Sequence, residues 1–281
     1  MESNNQLFIR VFLAVLLVCT FGCSKTNRIN KPTKIVFLAG EKSHAPGEHE
    51  YEKGLRLFQS CLDMMPNANN IKTELYTNGW PDDERTLDDA DTIVLFSDGS
   101  DAGVTRHPFL VDDRMQCIEK QMKRGCGLVV IHYSTIVPSE TAGPQFLEWV
   151  GGYFDYENGP APKHWFSRIQ FAQTMTQLPT PDHPIARGMK PFELNEEYYY
   201  NIRFQPDDSR VTPILNTPIP DEPNSQTVAW AVQRKDGGRG FVFTGGHWHS
   251  NWQLEDLRRM MLNAILWTAK MQVPSDYKSS S

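Results

Sequence analysis

The chain has 281 residues, enough for one large α/β domain or two small ones around a substantial core. Hydrophobic residues make up 40% and charged residues 22%, the balance of an ordinary soluble globular protein. The formal net charge is -6 and no basic stripe is present, which excludes nucleic acid as an expected partner.

The N-terminus stands apart. Arg10 precedes the apolar run Val11–Val18, too short for a comfortable membrane span but right for a signal-peptide core. The run leads to Thr20-Phe21-Gly22-Cys23-Ser24, and a small residue followed by Cys resembles a bacterial lipobox. Thr20 and Phe21 depart from the residues favoured there, and an uncleaved anchor is the alternative. Residues 1–23 are thus read as a leader, with export to the periplasm or cell envelope and Cys23 as a lipid anchor and sole membrane link. Of the other cysteines outside this leader, Cys61, Cys117 and Cys126 show no CxxC spacing and read as buried thiols.

Residues 24–33 form a polar tether. Lys34–Gly40 is a continuous apolar run, the pattern of a central parallel strand. The loop Glu41–His49 carries His44 and His49. Leu55, Phe58, Leu62 and Met65 recur at helical spacing and predict a helix from about Glu50 to Met65. Ile71–Tyr76 and Asp91–Ser97 are strands, the latter ending at Asp98. A helix is expected over Asp112–Arg124, stopped by Gly125, and a fourth strand over Gly127–Ile131 leads into His132-Tyr133. Gln145–Val150 is a short helix. This alternation predicts a doubly wound, mostly parallel sheet with helices on both faces.

From Tyr153 the rhythm changes. A long loop rich in Gly, Pro, Asn and Tyr ends at His164-Trp165, and Phe166–Phe171 alternates as a strand. Phe192–Tyr200 is aromatic and acidic, and Thr212–Leu215 is short and apolar. Thr227–Gln233 and Gly240–Thr244 flank Lys235-Asp236-Gly237-Gly238, a hairpin signature. Gly245-Gly246 then allows a sharp bend, and His247-Trp248-His249 follows at once. A last helix is expected over Glu255–Met271, and residues 273–281 are a polar tail.

His44 and His49 follow the first strand, His132 the fourth, and His247 and His249 the last. All lie beyond the carboxyl ends of buried strands, where open α/β sheets build their sites. Residues two apart on an extended chain point the same way, so His247 and His249 are expected to face one object. Imidazoles gathered there suit a divalent ion such as zinc, and an open coordination position would allow a bound water to act as nucleophile. Binding of substrate hydroxyls without metal, or local hydrogen bonding, is the alternative. Alternation also points Glu197, Tyr199 and Asn201 one way, with Glu197 a candidate base or a partner to a histidine. Trp248 and Trp252 suit stacking on a sugar face, although core packing accounts for them as well. Asp98 and His164 are further candidate substrate contacts. His107 and His183, each before a proline, read as turn residues.

Taken together, Lys34–Gly40, Ser43–Tyr51, Gly127–Tyr133, Asn195–Asn201 and Gly245–Trp252 resemble the ThuA-like proteins, named for trehalose utilisation. The resemblance covers about Lys34 to Lys270, within an expected domain of residues 34–272. It implies a flavodoxin-like, class I glutamine amidotransferase-like fold. In amidotransferases a nucleophilic Cys occupies the turn that here holds His132-Tyr133, and Cys126 lies at the wrong end of that strand. Glutamine hydrolysis is therefore not expected. The resemblance further implies a metal held by His49, His132 and His249, with His44 and His247 beside them. One departure is Tyr198, where Trp is expected. The activity implied is a metal-dependent hydrolase or lyase for disaccharides or 3-keto sugars, with Glu197, Tyr133 and His247 assisting and Asp98, His164, Asn201, Trp248 and Trp252 holding the sugar. A non-catalytic sugar-binding lipoprotein that serves an oxidoreductase partner, and a degenerate amidotransferase, are the competing readings.

Overall fold

Seven strands line up in one sheet in the order β2-β1-β3-β4-β11-β10-β9 in the computed structural model. They are β1 Thr33–Ala39, β2 Ile71–Tyr76, β3 Thr92–Phe96, β4 Gly127–Ile131, β9 Val211–Thr217, β10 Gln226–Gln233 and β11 Arg239–Phe243. Residues 31–156 and 167–275 are described, so His164 and Cys23, with the rest of the predicted leader, lie outside the described residues. The described residues from Pro32 onward belong to one compact unit. Among the described residues no helix is long and apolar enough to cross a membrane.

The central strands are apolar throughout because both faces are covered. Along β1, Ile35, Phe37 and Ala39 enter one core, and Val36 and Leu38 enter the other. The first core is closed by α1 (Tyr51–Asp63) and α4 (Glu255–Thr268), through Leu55, Phe58 and Leu62 against Leu257, Met261 and Ile265. The second is closed by α2 (Arg114–Lys123) and α3 (Gly143–Trp149), through Ile118, Met122 and Phe146. The doubly wound, flavodoxin-like expectation therefore holds. Strands β2, β1, β3, β4 and β11 run parallel, and β10 and β9 extend the sheet antiparallel.

Two short ribbons lie outside this sheet. Strand β5 (Gly152–Tyr153) pairs with β8 (Arg203–Phe204), and β6 (Arg168–Met175) pairs with β7 (Glu193–Tyr200). The predicted strand ending at Phe171 is longer than its alternation suggested, because pairing with β7 carries it on to Met175. The final helix stops at Thr268, short of the expected Met271.

The chain order places a switch point at β1, which has β2 on one side and β3 on the other. Sites in such sheets form outside the carboxyl ends of the strands at this point. The segments after β1, β3, β4 and β11 all emerge on this edge.

His107 and His183 are turn residues, each accepting a backbone N–H two residues on, from Phe109 and Ile185. His107 is fully buried, and burial pushes its imidazole down from 6.5 to about 4. The unfolded chain takes up this proton near pH 6.5, whereas the folded chain resists until about 4. Its contribution is complete above pH 6.5 and is lost as pH falls through that window, by about 1.4 kcal/mol per pH unit. Urea unfolding across the window should therefore show a shallower pH slope for His107→Asn, which keeps a capping oxygen, than for the native chain. Equal slopes would mean that His107 is not held neutral.

Candidate metal and substrate site

Each of the central histidines is set by backbone that ordinary residues avoid. His49 and His132 adopt φ of 45° and 52°, in the left-handed region that costs a non-glycine residue energy. His132 occupies the turn directly after β4, the elbow position. The chain after β11 bends at Gly246, φ 127°, where a Cβ would press on His132 and Trp252. A short antiparallel bridge between Glu48 and Trp248 then ties the two histidine loops together. His49 N–H donates to the His247 carbonyl at 2.9 Å.

Four donors converge. His49 Nε2 lies 2.9 Å from His247 Nδ1 and 3.1 Å from His132 Nε2. Glu197 Oε2 lies 3.1 Å from His247 Nδ1, 3.2 Å from His132 Nε2 and 4.0 Å from His49 Nε2. These atoms, with one from each residue, all fall within 4.8 Å of one another. An ion about 2.0–2.1 Å from tetrahedral ligands holds them about 3.3 Å apart, so the spacing is of the right size.

Proton positions support the same conclusion. The Thr244 carbonyl can only accept, so at 2.7 Å it fixes the His132 proton on Nδ1. Tyr51 donates to Asp98 Oδ1 at 2.6 Å, so its oxygen accepts from His49 Nδ1 at 2.9 Å. With the Nδ1 protons so placed, the metal-ready form of each imidazole turns an Nε2 lone pair towards the other beside a carboxylate. Lone pairs and a carboxylate gathered at one point repel, and a cation between them removes the repulsion. The residues present therefore fit a divalent ion.

The electrostatics are consistent with this arrangement. Burial, then the charges of His132, His44 and His247, push His49 down to about 2, so it stays neutral. Burial opposes ionisation of Glu197, but the His132 and His247 imidazoles beside it outweigh that and hold its carboxyl below the usual carboxylate range. Burial and then the Asp98 charge keep the Tyr51 phenol protonated. Tyr199 stacks on the His132 ring at 4.5 Å and 24°.

Several assignments change. His249 is not among the four donors: the chain enters a helical turn, His249–Gln253, so residues two apart no longer share a face. Its imidazole has Glu50, Lys53 and Lys42 as its charged surroundings instead. His247 and Glu197, expected to assist chemistry, stand in the donor ring. His44 belongs to a neighbouring group with His49 and Asp98. Asp98 is 1% exposed and already accepts from Ser43, Tyr51 and Arg106, so it is not free to hold substrate. Trp252 is 1% exposed and packs on Phe58, Phe96 and Phe243, so it is core and not a sugar platform. Asn201, φ 50°, is a turn residue whose carbonyl accepts from Ser167 at 2.8 Å. Tyr198 bonds Thr174 and the Leu194 carbonyl on the other face of β7, so its departure from Trp does not reach the donors.

Tyr133 and Trp248 remain at the mouth, both half-buried. Tyr133 bonds Asp101, and burial and then the Asp101 charge keep its phenol protonated. Trp248 lies 4.4 Å from His247, and Phe171, 55% exposed, lies 5.3 Å from His247 and 6.2 Å from Trp248. Phe171 was not foreseen. Its signal was its place on an alternating strand opposite Glu197, a pairing invisible without the ribbon. Cys126 is buried just before β4, where burial pushes its thiol up to about 12, so it does not serve the elbow as a reactive thiol.

The sequence model of the family described as "Trehalose utilisation" (ThuA) matches residues 36–268. No curated protein sequence matches the chain. Among solved structures, a ThuA-like protein from Bacteroides uniformis is similar with a TM-score of 0.61 and 14% identity, over 87% of this chain and 94% of that one. A ThuA-like protein from Parabacteroides merdae has a TM-score of 0.58 and 14% identity, over 89% and 94%. A cytoplasmic protein of Salmonella typhimurium has a TM-score of 0.53 and 12% identity, over 85% and 99%. At these identities the likeness is one of fold.

Proposed function

The chain belongs to the ThuA family of trehalose utilisation, and from that premise we propose that it is a metal-dependent hydrolase or lyase acting on a disaccharide or a 3-keto sugar. The observation that carries the reading is the convergence of His49, His132, His247 and Glu197 on one point. Three imidazoles and one carboxylate suit a borderline divalent ion, and zinc is the first to test. Such an ion supplies Lewis acidity to a substrate oxygen.

The chain's own residues would do the rest. Glu197 balances the positive charge and keeps His247 and His132 oriented. Tyr133, whose proton is directed to Asp101, presents its oxygen at the mouth to accept a hydrogen bond from a sugar hydroxyl. Phe171 and Trp248 offer an apolar wall to the C–H face of a pyranose ring. Buried His132 and Tyr199 close the floor and exclude water.

Purified protein should contain a divalent ion and should turn over trehalose or its 3-keto derivative. Chelation should abolish turnover and zinc should restore it. Sugar affinity that survives chelation, with no turnover of either compound, would replace this reading by a sugar-binding protein that serves an oxidoreductase partner. Export belongs to the same proposal, with lipidation at Cys23. The intact mass of the protein from an envelope fraction checks it: a mature chain beginning at acylated Cys23 is expected, and an unprocessed soluble chain would overturn it.

A further inference from the structure

Asp98 closes the segment after β3, away from both histidine loops in sequence, yet two hydroxyl groups link it to two imidazoles. Its Oδ1 accepts from Tyr51 at 2.6 Å and from Ser43, while Oδ2 accepts from Arg106 Nε and Nη2 at 2.8 and 2.6 Å. Behind Tyr51 stands His49 Nδ1 at 2.9 Å, and behind Ser43 stands His44 Nδ1 at 2.6 Å. A carboxylate can only accept, so each hydroxyl spends its proton on Asp98. Each hydroxyl oxygen is then an acceptor and draws the proton of its imidazole to Nδ1. We infer that Asp98 is a positioning residue that sets the tautomers of His49 and His44 together, through Tyr51 and Ser43, so that both present an unprotonated Nε2.

The arrangement explains features that substrate binding does not. Asp98 is buried and saturated, whereas a residue that binds a sugar needs a free oxygen. Arg106, bridged also to Glu41 at 3.1 Å, occupies the oxygen that the hydroxyls leave. The two rings lie close and tilted, with centroids 3.7 Å apart and 32° between planes. His49 turns its Nε2 into the donor ring, and exposed His44 sits above it, 5.8 Å from Tyr133. One carboxylate thereby prepares a buried nitrogen for a cation and an exposed one for a substrate proton. The second role rests on the function proposed above, but the tautomers themselves do not.

The two hydroxyls make the inference separable. Nitrogen-15 NMR of the metal-free protein distinguishes protonated from unprotonated imidazole nitrogens. In the native chain both His49 and His44 should carry the proton on Nδ1. Tyr51→Phe should release His49 alone, Ser43→Ala should release His44 alone, and Asp98→Asn should release both. Titration with Co²⁺ as the probe should show affinity reduced about 10–100-fold by Tyr51→Phe, as expected for the loss of an outer partner, and unchanged by Ser43→Ala. If Asp98→Asn does not fold, the two hydroxyl variants still decide the matter. Native tautomers that survive both hydroxyl deletions, or a His49 protonated on Nε2 in the native chain, would overturn the inference. Failure of the native chain to bind Co²⁺ with the tautomer pattern intact would instead remove the metal reading and leave the relay standing.

Discussion

His132→Ala is expected to abolish cation binding and turnover. The imidazole is fully buried, its Nδ1 is fixed on the Thr244 carbonyl, and its Nε2 lies 3.1 Å from His49 Nε2 and 3.2 Å from Glu197 Oε2. Alanine removes one of the four donors and takes away one of the two groups that hold Glu197 ionised. The loss of affinity should exceed the roughly 10–100-fold that follows removal of an outer partner. Alanine also leaves a void beneath Tyr199, whose ring rests on the missing imidazole. Metal analysis of the purified variant, with calorimetric titration, checks this. A variant that retains the native complement of ion would mean that His132 is a packing residue of the elbow and not a ligand.

Glu196→Ala should carry the largest stability cost of the changes considered. Glu196 is fully buried beside the donor ring, and four N–H groups point at it. Oε1 accepts from Glu197 N at 2.9 Å and His247 N at 3.1 Å. Oε2 accepts from Gly246 N at 3.0 Å and Asn251 Nδ2 at 2.9 Å. Burial raises its pKa, while these donors pull the other way, since two unprotonated oxygens accept all four. Alanine strands the three backbone donors, while Asn251 keeps its bond to the Asn195 carbonyl; each unsatisfied buried group costs about 1–3 kcal/mol, so a total loss of about 3 kcal/mol or more is expected. Glu196→Gln preserves the volume but turns an amide N–H₂ towards a backbone donor, at a cost of about 1–3 kcal/mol. Glu193→Ala, on the exposed end of β7, should stay within about 0.5 kcal/mol. Urea midpoints of the three variants give the comparison. Equal midpoints for Glu196→Ala and Glu193→Ala would show that the Gly246–His247 turn does not depend on this carboxylate.

Glu196 also marks the limit of what periodicity can find. Alternation along β7 put Glu197 and Tyr199 on one face, and both do reach His132. The same alternation sent Glu196 to the other face with nothing to mark it, because its partners are backbone N–H groups about fifty residues away in sequence. Tyr51 and Ser43 were hidden for a similar reason. A hydroxyl that relays a proton constraint has no spacing signature, and its carboxylate comes from a separate strand end.

The amino-acid sequence determined the layered sheet and the edge on which the site lies. Unbroken apolar runs such as Lys34–Gly40 and Gly127–Ile131 demand cover on both faces, and strands joined by helices must share a carboxyl edge. His49, His132 and Glu197 were legible as candidates because each follows or lies within such a patterned run. Only the tertiary structure decided between His247 and His249, and it consigned Trp252 to the core. The bridge from Glu48 to Trp248 and the helical turn from His249 set those directions. Side-chain direction after a strand end depends on contacts made by chain about two hundred residues distant, and local periodicity carries no information about such contacts.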